Sequence, residues 1–337
     1  MDWQLILDIS GYSFSGKSAF YDLLSNVDGA FSHSKEFEFD FIRVQGGIID
    51  LHNALCDNWS PIRSSEAIRR FSRLIRYFGG DRKFTSRIYR YGPHYDFYFE
   101  NFTLKAEQFL GRLIKTSWVA DWPFAAYDDS YCISIIAKYL SKIGVGNQKE
   151  IFLARVSSEY FESECKRFFN ELFSIDSCSN AKFIILNNAF EPFFPERSMR
   201  FINDSKAIVV DRDPRDIYIS ALKAGKINGK KVGLAVVGPD VITFIDRFLA
   251  YREFSVNNAL PNVYRTTFEK LILNYDQELF NLCKFLNPLE IDFSSKLIGF
   301  DPEKSKNNIM QWRDSCNNSL VPDIKIIEKH LQRFCTL

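Results

Sequence analysis

Short, almost wholly apolar runs recur along the chain at residues 5–9, 183–186 and 207–211. Consecutive apolar positions over so short a length predict strands buried on both faces. Residues 151–154 predict a further strand or strand end, and 263–266 a late one. Apolar residues spaced three and four apart predict helices over 157–173, 214–224, 239–259 and 275–286. Strands alternating with helices predict an α/β fold, a three-layer sandwich with a central parallel sheet. Residues 60–145 are mainly helical in pattern. They predict an insertion within a single domain spanning residues 1–337.

Composition narrows the class. The 337 residues are 46% hydrophobic and 25% charged, ordinary for a globular protein. A net charge of +1 argues against a nucleic-acid partner. The seven cysteines are scattered with no C-x-x-C pair, which suits a reducing compartment. No apolar stretch reaches the ~18 residues of a membrane span. The first predicted strand leaves no room for a signal peptide before it. A cytoplasmic protein without a transmembrane segment is expected, with oligomeric state open between monomer and homo-oligomer. No metal-ligand spacing occurs.

Charge is uneven. Between Pro61 and Gly92, nine basic residues (Arg63, Arg69, Arg70, Arg73, Arg76, Arg82, Lys83, Arg87 and Arg90) face only Glu66 and Asp81. Phe71, Tyr77, Phe78, Phe84, Tyr89 and Tyr91 are interleaved with them. Two readings stand: a solvated helix face, or a groove where aromatic rings and arginines meet an anionic acceptor such as an acidic sugar chain.

The most informative motif directly follows the first strand. Residues 11–18 read Gly-Tyr-Ser-Phe-Ser-Gly-Lys-Ser, a G-x4-G-K-[ST] loop that opens a helix at Ala19. The glycines let the backbone wrap an anion. The helix start offers free N–H groups and Lys17 adds a full charge. A nucleotide ligand is expected.

A second site is predicted at 207–220. There a buried strand ends in Asp211-Arg212-Asp213-Pro214-Arg215-Asp216 and a helix begins, with Pro214 suited to its first turn. Ser220 lies two helical turns beyond Arg212, so both can reach one anion. These residues resemble the sulfotransferase family, whose members carry V-x-R-D-P-R-D and a Ser eight residues after the first Arg. Residues 180–195, the Tyr264–Leu271 segment (similar to the family's Y-E-D-L region) and Lys304-Ser-Lys-Asn-Asn-Ile-Met-Gln-Trp-Arg313 extend the likeness. Met310 departs from it, standing where Gly is common. So does the first loop. Against [KR]-S-G-[ST]-[ST], Phe14 takes the basic position, Lys17 the first hydroxyl position and Ser18 the second.

The resemblance implies a donor, 3'-phosphoadenosine-5'-phosphosulfate, and a hydroxyl acceptor, here a carbohydrate or glycan, anionic or neutral. It places Arg212 and Ser220 on the donor's 3'-phosphate, with Lys304, Ser305 and Arg313 closing over it. Tyr264 and Trp312 join the donor site, Trp312 either on the adenine or on the core. Ser15, Gly16, Lys17, Ser18 and Ala19 would cradle the 5'-phosphosulfate. The expected base is an acid soon after the first helix: Glu36 first, then Glu38, with Asp40 and His33 next. His52 and His94 lie further off. Two alternatives stay open. One is an ATP-dependent sugar or small-molecule kinase, with Asp211 holding Mg²⁺. The other is a nucleotide-binding scaffold without turnover.

Overall fold

The computed structural model describes residues 4–80, 92–122, 124, 135, 136, 139, 148–174, 181–224, 226, 227, 230, 231, 233–253, 260–287, 289, 291, 293 and 300–337. Residues 81–91 of the basic stretch and 254–259 of a predicted helix lie outside the described residues. The chain divides into two compact units, Met1–Arg43 with Asp176–Leu337, and Val44–Ile175.

The first unit holds the parallel sheet. Its strands are β1 Leu5–Gly11, β2 Ala30–Ser32, β3 Phe183–Asn187, β4 Ser205–Asp211 and β5 Val263–Thr267. They lie in the order β2-β3-β1-β4-β5, every pair parallel. The central position of β1 follows from its composition, since a strand paired on both sides must bury both faces. Leu7 of β1 lies opposite Ile185 of β3 and Lys206 of β4. The edge strand β2 was not expected; at three half-buried residues it carries too little apolar pattern to register.

Helices α1 Lys17–Leu24, α4 Phe268–Leu273 and α5 Tyr275–Leu286 share one core with the sheet. Leu7, Ile9, Ile185, Ile208 and Val210 meet Phe20, Leu24, Phe268, Leu271 and Leu282 there. Each such side chain, fully buried, stabilises the fold by roughly 1.5–3 kcal/mol. A second cluster joins α2 Pro214–Lys223, α3 Val241–Glu253 and α6 Val321–Leu331 through Ile217, Ile219, Phe244, Phe248, Ile327 and Leu331. Local chemistry sets the helix starts. Asp213 accepts from the Arg215 amide at 3.0 Å ahead of Pro214, and Thr267 accepts from the Lys270 amide at 3.4 Å.

The second unit is mainly helical, with helices Pro61–Gly79, Phe102–Leu113 and Ser158–Phe173. Phe71, Phe109, Phe161 and Phe168 are fully buried there, Phe109 stacked on Phe168 at 5.3 Å. The strand expected at 151–154 belongs here rather than to the parallel sheet. As Gln148–Leu153 it pairs antiparallel with Thr116–Asp121. Its half-exposed residues fit a two-stranded ribbon, not a strand buried on both faces. No helix among the described residues is long and apolar enough to cross a membrane.

Candidate functional site

The loop after β1 turns sharply into α1. Gly16 sits at φ +79, where an added Cβ would lie 2.5 Å from the Phe268 ring. A side chain at Gly11 would meet Ser15 Oγ and the Val210 carbonyl. Both glycines are therefore required by close approach, and Gly16 by its left-handed conformation as well. Gly16 caps α1 without a side-chain hydrogen bond, and no acid stands in the first turn. The helix start at Lys17, Ser18 and Ala19 thus keeps its positive end for an anion. Ser18 is exposed there, and the Ala19 amide donates to the Gly16 carbonyl at 3.0 Å. Ser15 is buried, and its Oγ has no hydrogen-bond partner among the described residues.

Lys17 is drawn to one side of the loop. Its Nζ donates to Glu38 Oε1 at 2.8 Å and to Asn187 Oδ1 at 2.7 Å. Asn187 is oriented by its own donation to the Lys35 carbonyl at 2.8 Å. Asn188, at φ +58, donates to the same Glu38 oxygen at 2.8 Å. Burial pushes the Glu38 carboxyl up. The Lys17 ammonium, with Arg43 and the Asn188 amide, outweighs that and holds it below the ordinary carboxylate range.

The other candidate bases sit differently. Residues 33–39 do not form a strand, so Glu36 and Glu38 share no face. The Phe37 amide closes a turn on Ser34, and the Phe39 amide donates to the Asn187 carbonyl at 2.8 Å. Phe37 and Phe39 are buried anchors; between them Glu38 turns to Lys17, while Glu36 is exposed and accepts from Ser34 Oγ. Asp40 is paired with Arg43 at 2.6 Å. His33 packs edge-on against Phe31 and Phe37, and burial pushes its pKa down to about 4. In the second unit His52 is buried against Ser158 and Asp57, and His94 caps the Tyr95–Tyr98 turn.

The second candidate anion position lies where β4 meets α2. Arg212 Nη1 donates to Ser220 Oγ at 3.1 Å and to the Phe14 carbonyl of the phosphate loop at 3.0 Å. One guanidinium therefore touches both candidate anion positions. Its Nη2 donates to the Asn308 carbonyl, its face lies over Phe268, and its Nε is buried without a partner among the described residues. Asp216, fully buried, accepts from the Met310 and Gln311 amides at 2.9 and 2.8 Å. The Gln311 amide group reaches Ser220 Oγ at 3.0 Å. Met310 adopts φ +57, the left-handed conformation that glycine takes without cost.

Of the remaining candidates, Lys304 is exposed and near Asp301, and Ser305 lies in the short Pro302–Ser305 helix. Trp312 stands between the guanidinium groups of Arg215 and Arg313, 4.0 and 4.6 Å from its ring, against the α2–α6 cluster. Tyr264 faces away from this region, donating to Glu278 at 3.0 Å and stacked on Phe285. Asp211, the residue a kinase would need for Mg²⁺, is bound by Arg252, itself stacked on Tyr12 and Phe248.

Sequence reasoning missed Asn187, Asn188, Gln311, Asp216 and Phe268. For the two asparagines a signal existed. They interrupt an apolar run at the carboxyl end of a parallel strand, where ligands of open α/β sheets bind. For Phe268 only the tertiary contact with Gly16 reveals the role.

No family model and no curated protein matches the chain. Among the solved structures similar to it are two sulfotransferase domains. One is the sulfotransferase domain from the curacin biosynthetic pathway, 14% identical, with 90% of this chain and 86% of that one covered and a TM-score of 0.31. The other is the sulfotransferase domain from the Synechococcus PCC 7002 olefin synthase, 12% identical, with 90% and 82% covered and the same TM-score. At this distance the function must be read from the residues of the site.

Proposed function

We propose that the protein is a sulfotransferase using 3'-phosphoadenosine-5'-phosphosulfate and a hydroxyl acceptor. The observation that carries this reading is Arg212, which joins the phosphate loop at Phe14 to Ser220. A donor with phosphates at both ends of its ribose needs two anion positions linked in this way. The unpartnered Ser15 Oγ and Arg212 Nε suit such a ligand. The engagement of Asp211 by Arg252 counts against the kinase.

When bound, the donor supplies the sulfuryl group, which an acceptor oxygen takes in line as the 5'-phosphate departs. The amides of Gly16, Lys17 and Ser18 and the hydroxyls of Ser15 and Ser18 would hold the 5' end, the Ser15 and Ala19 amides being bonded to the Tyr12 and Gly16 carbonyls. Lys17 would stabilise the charge developing on the departing phosphate. Arg212 and Ser220 would hold the 3'-phosphate, with the 308–313 segment above them. Glu38 would take the acceptor's proton; its place beside Lys17 favours it over Glu36. The acceptor class, a carbohydrate or glycan, anionic or neutral, rests on the resemblance of the motifs; the exposed Arg63, Arg70, Arg73 and Arg76 belong to the other unit, on the Pro61–Gly79 helix. Arg69 is otherwise engaged, with Glu66 and Trp122.

The test is ligand binding followed by thermal unfolding. Adenosine 3',5'-bisphosphate should stabilise the protein without magnesium, and ATP should not. At 100 times its dissociation constant a ligand adds about 2.7 kcal/mol. Arg212→Ala should weaken the bisphosphate by about 1.5–3 kcal/mol more than it weakens adenosine 5'-phosphate, which would lose only the Phe14 support of the loop. Stabilisation by ATP with magnesium alone would replace this reading by the kinase.

A further inference from the structure

The Lys17–Glu38 contact sets the two groups needed for transfer against each other. A lysine neutralised by a carboxylate is a weaker anion holder, and a carboxylate holding an ammonium is a weaker base. Each also has a neutral partner of its own. Asn187 Oδ1 accepts from Lys17 at 2.7 Å, and Asn188 Nδ2 donates to Glu38 at 2.8 Å. The asparagines are adjacent, so the end of β3 grips the two sides of the ion pair with separate amides. Parting the pair therefore leaves neither charge without a hydrogen bond, which keeps the cost of opening small. The side chains of Lys17 and Glu38 are 19% and 41% exposed, so the contact is reachable by a ligand.

We propose that this pair is a donor-operated gate: a phosphate group entering the loop draws Lys17 away from Glu38, and only then is the carboxylate free to accept a proton. The gate rests on the reading of Glu38 as the base and of the loop as the donor's 5' site. Other charges face the pair. Arg43 lies near Glu38 and is itself paired with Asp40, with Glu191 close by. Arg43 thus keeps a positive field on Glu38 in both states, so the carboxylate stays ionised after Lys17 leaves. The proton acceptor then switches from a charge-paired to a solvent-facing carboxylate without moving along the chain.

The gate makes an unusual prediction, because removing the base should improve nucleotide binding. Glu38→Gln frees Lys17 from its rival, so adenosine 3',5'-bisphosphate should bind about three- to fivefold more tightly, within the range expected when a partly exposed ion pair no longer competes. Loss of a negative charge near an anion would also tighten binding, so the cycle includes Lys17→Met. In the Lys17→Met background Glu38→Gln should change affinity by less than about twofold. Binding is measured by calorimetry, with circular dichroism confirming that each variant is folded. Equal or weaker binding by Glu38→Gln overturns the gate and leaves the donor reading standing. The same gain with and without Lys17 also overturns it, reducing the effect to through-space repulsion. Absence of bisphosphate binding by the folded wild-type protein overturns the donor reading and the gate together.

Discussion

Asp8 stands in the centre of β1 between Leu7 and Ile9, fully buried, and alternation turns it to the opposite side of the sheet from them. It accepts from the Ala189 and Phe190 amides at 2.7 and 3.2 Å and touches Ser10, whose hydroxyl also reaches the Phe190 carbonyl at 2.7 Å. One serine proton cannot serve two acceptors, so a protonated Asp8 satisfies the group best. Burial accordingly raises its pKa from 3.8 to about 6 against the opposing hydrogen bonds. The sign follows by linkage. The folded state binds this proton more tightly than the unfolded state, so the stabilisation is complete below pH ~4 and is lost as pH rises through about 6. The loss from this group amounts to about 3 kcal/mol. Asp8→Asn mimics the protonated form and should flatten that fall. Urea midpoints between pH 4 and 7 check it; an unchanged slope in Asp8→Asn would place the titration elsewhere. The chemistry matters beyond stability, because Asp8 fixes the turn that immediately follows Asn187 and Asn188.

Among the elements, α2 does more than continue the chain after β4. Its first turn carries Asp216, and that one carboxylate ties down the 308–313 segment through two amides. Burial raises the Asp216 pKa, while Arg212 and the two amides oppose the shift. Replacing Asp216 by Ala leaves two amide donors without their acceptor and removes a charged partner from Arg212. The expected cost is about 2–3 kcal/mol, with faster hydrogen exchange at Met310 and Gln311. Retained protection at those amides would show that the left-handed turn at Met310 holds the segment by itself. Met310 stands where glycine is common in the family that the segment resembles. Methionine is tolerated because the turn is fastened from both sides, by Asp216 and by Asn317, whose amide donates to the Gln311 carbonyl at 2.6 Å.

On the scale of the whole molecule, every group assigned to the nucleotide lies within Met1–Arg43 and Asp176–Leu337. Bisphosphate binding should therefore slow hydrogen exchange most at residues 11–19, 212–220 and 308–313. Mass spectrometry of the exchanged protein reads this directly. Slowing concentrated within Val44–Ile175 would contradict the assignment of the loop and of Arg212. The first loop, the two asparagines and Arg212, far apart in sequence, converge because a parallel sheet brings the carboxyl ends of its strands to one edge, while Asp216 holds 308–313 beside Arg212. β1 delivers the loop, β3 the two asparagines and β4 the arginine, all on adjacent strands.

Four of the five sheet strands were legible in the amino-acid order, three of them because strands buried on both faces must be written as short apolar runs; the fourth, Val263–Thr267, is a partly buried edge strand. The strand–loop–helix turn at 11–18 and the contact between Arg212 and Ser220 were legible too, since backbone wrapping and helical pitch act over a few residues. Helix 275–286 emerged with its predicted bounds for the same reason. What lay beyond the sequence were choices settled by distant contacts. Glu36 and Glu38 look alike in a polar segment; the buried rings of Phe37 and Phe39 turn Glu38 toward Lys17, and Asn188, 150 residues away, receives it. Tyr264 went to Glu278 because strand alternation points it into the α5 core. Residues 151–153 joined an antiparallel ribbon because pairing partners are chosen in space, and an apolar run carries no record of which strand will lie beside it.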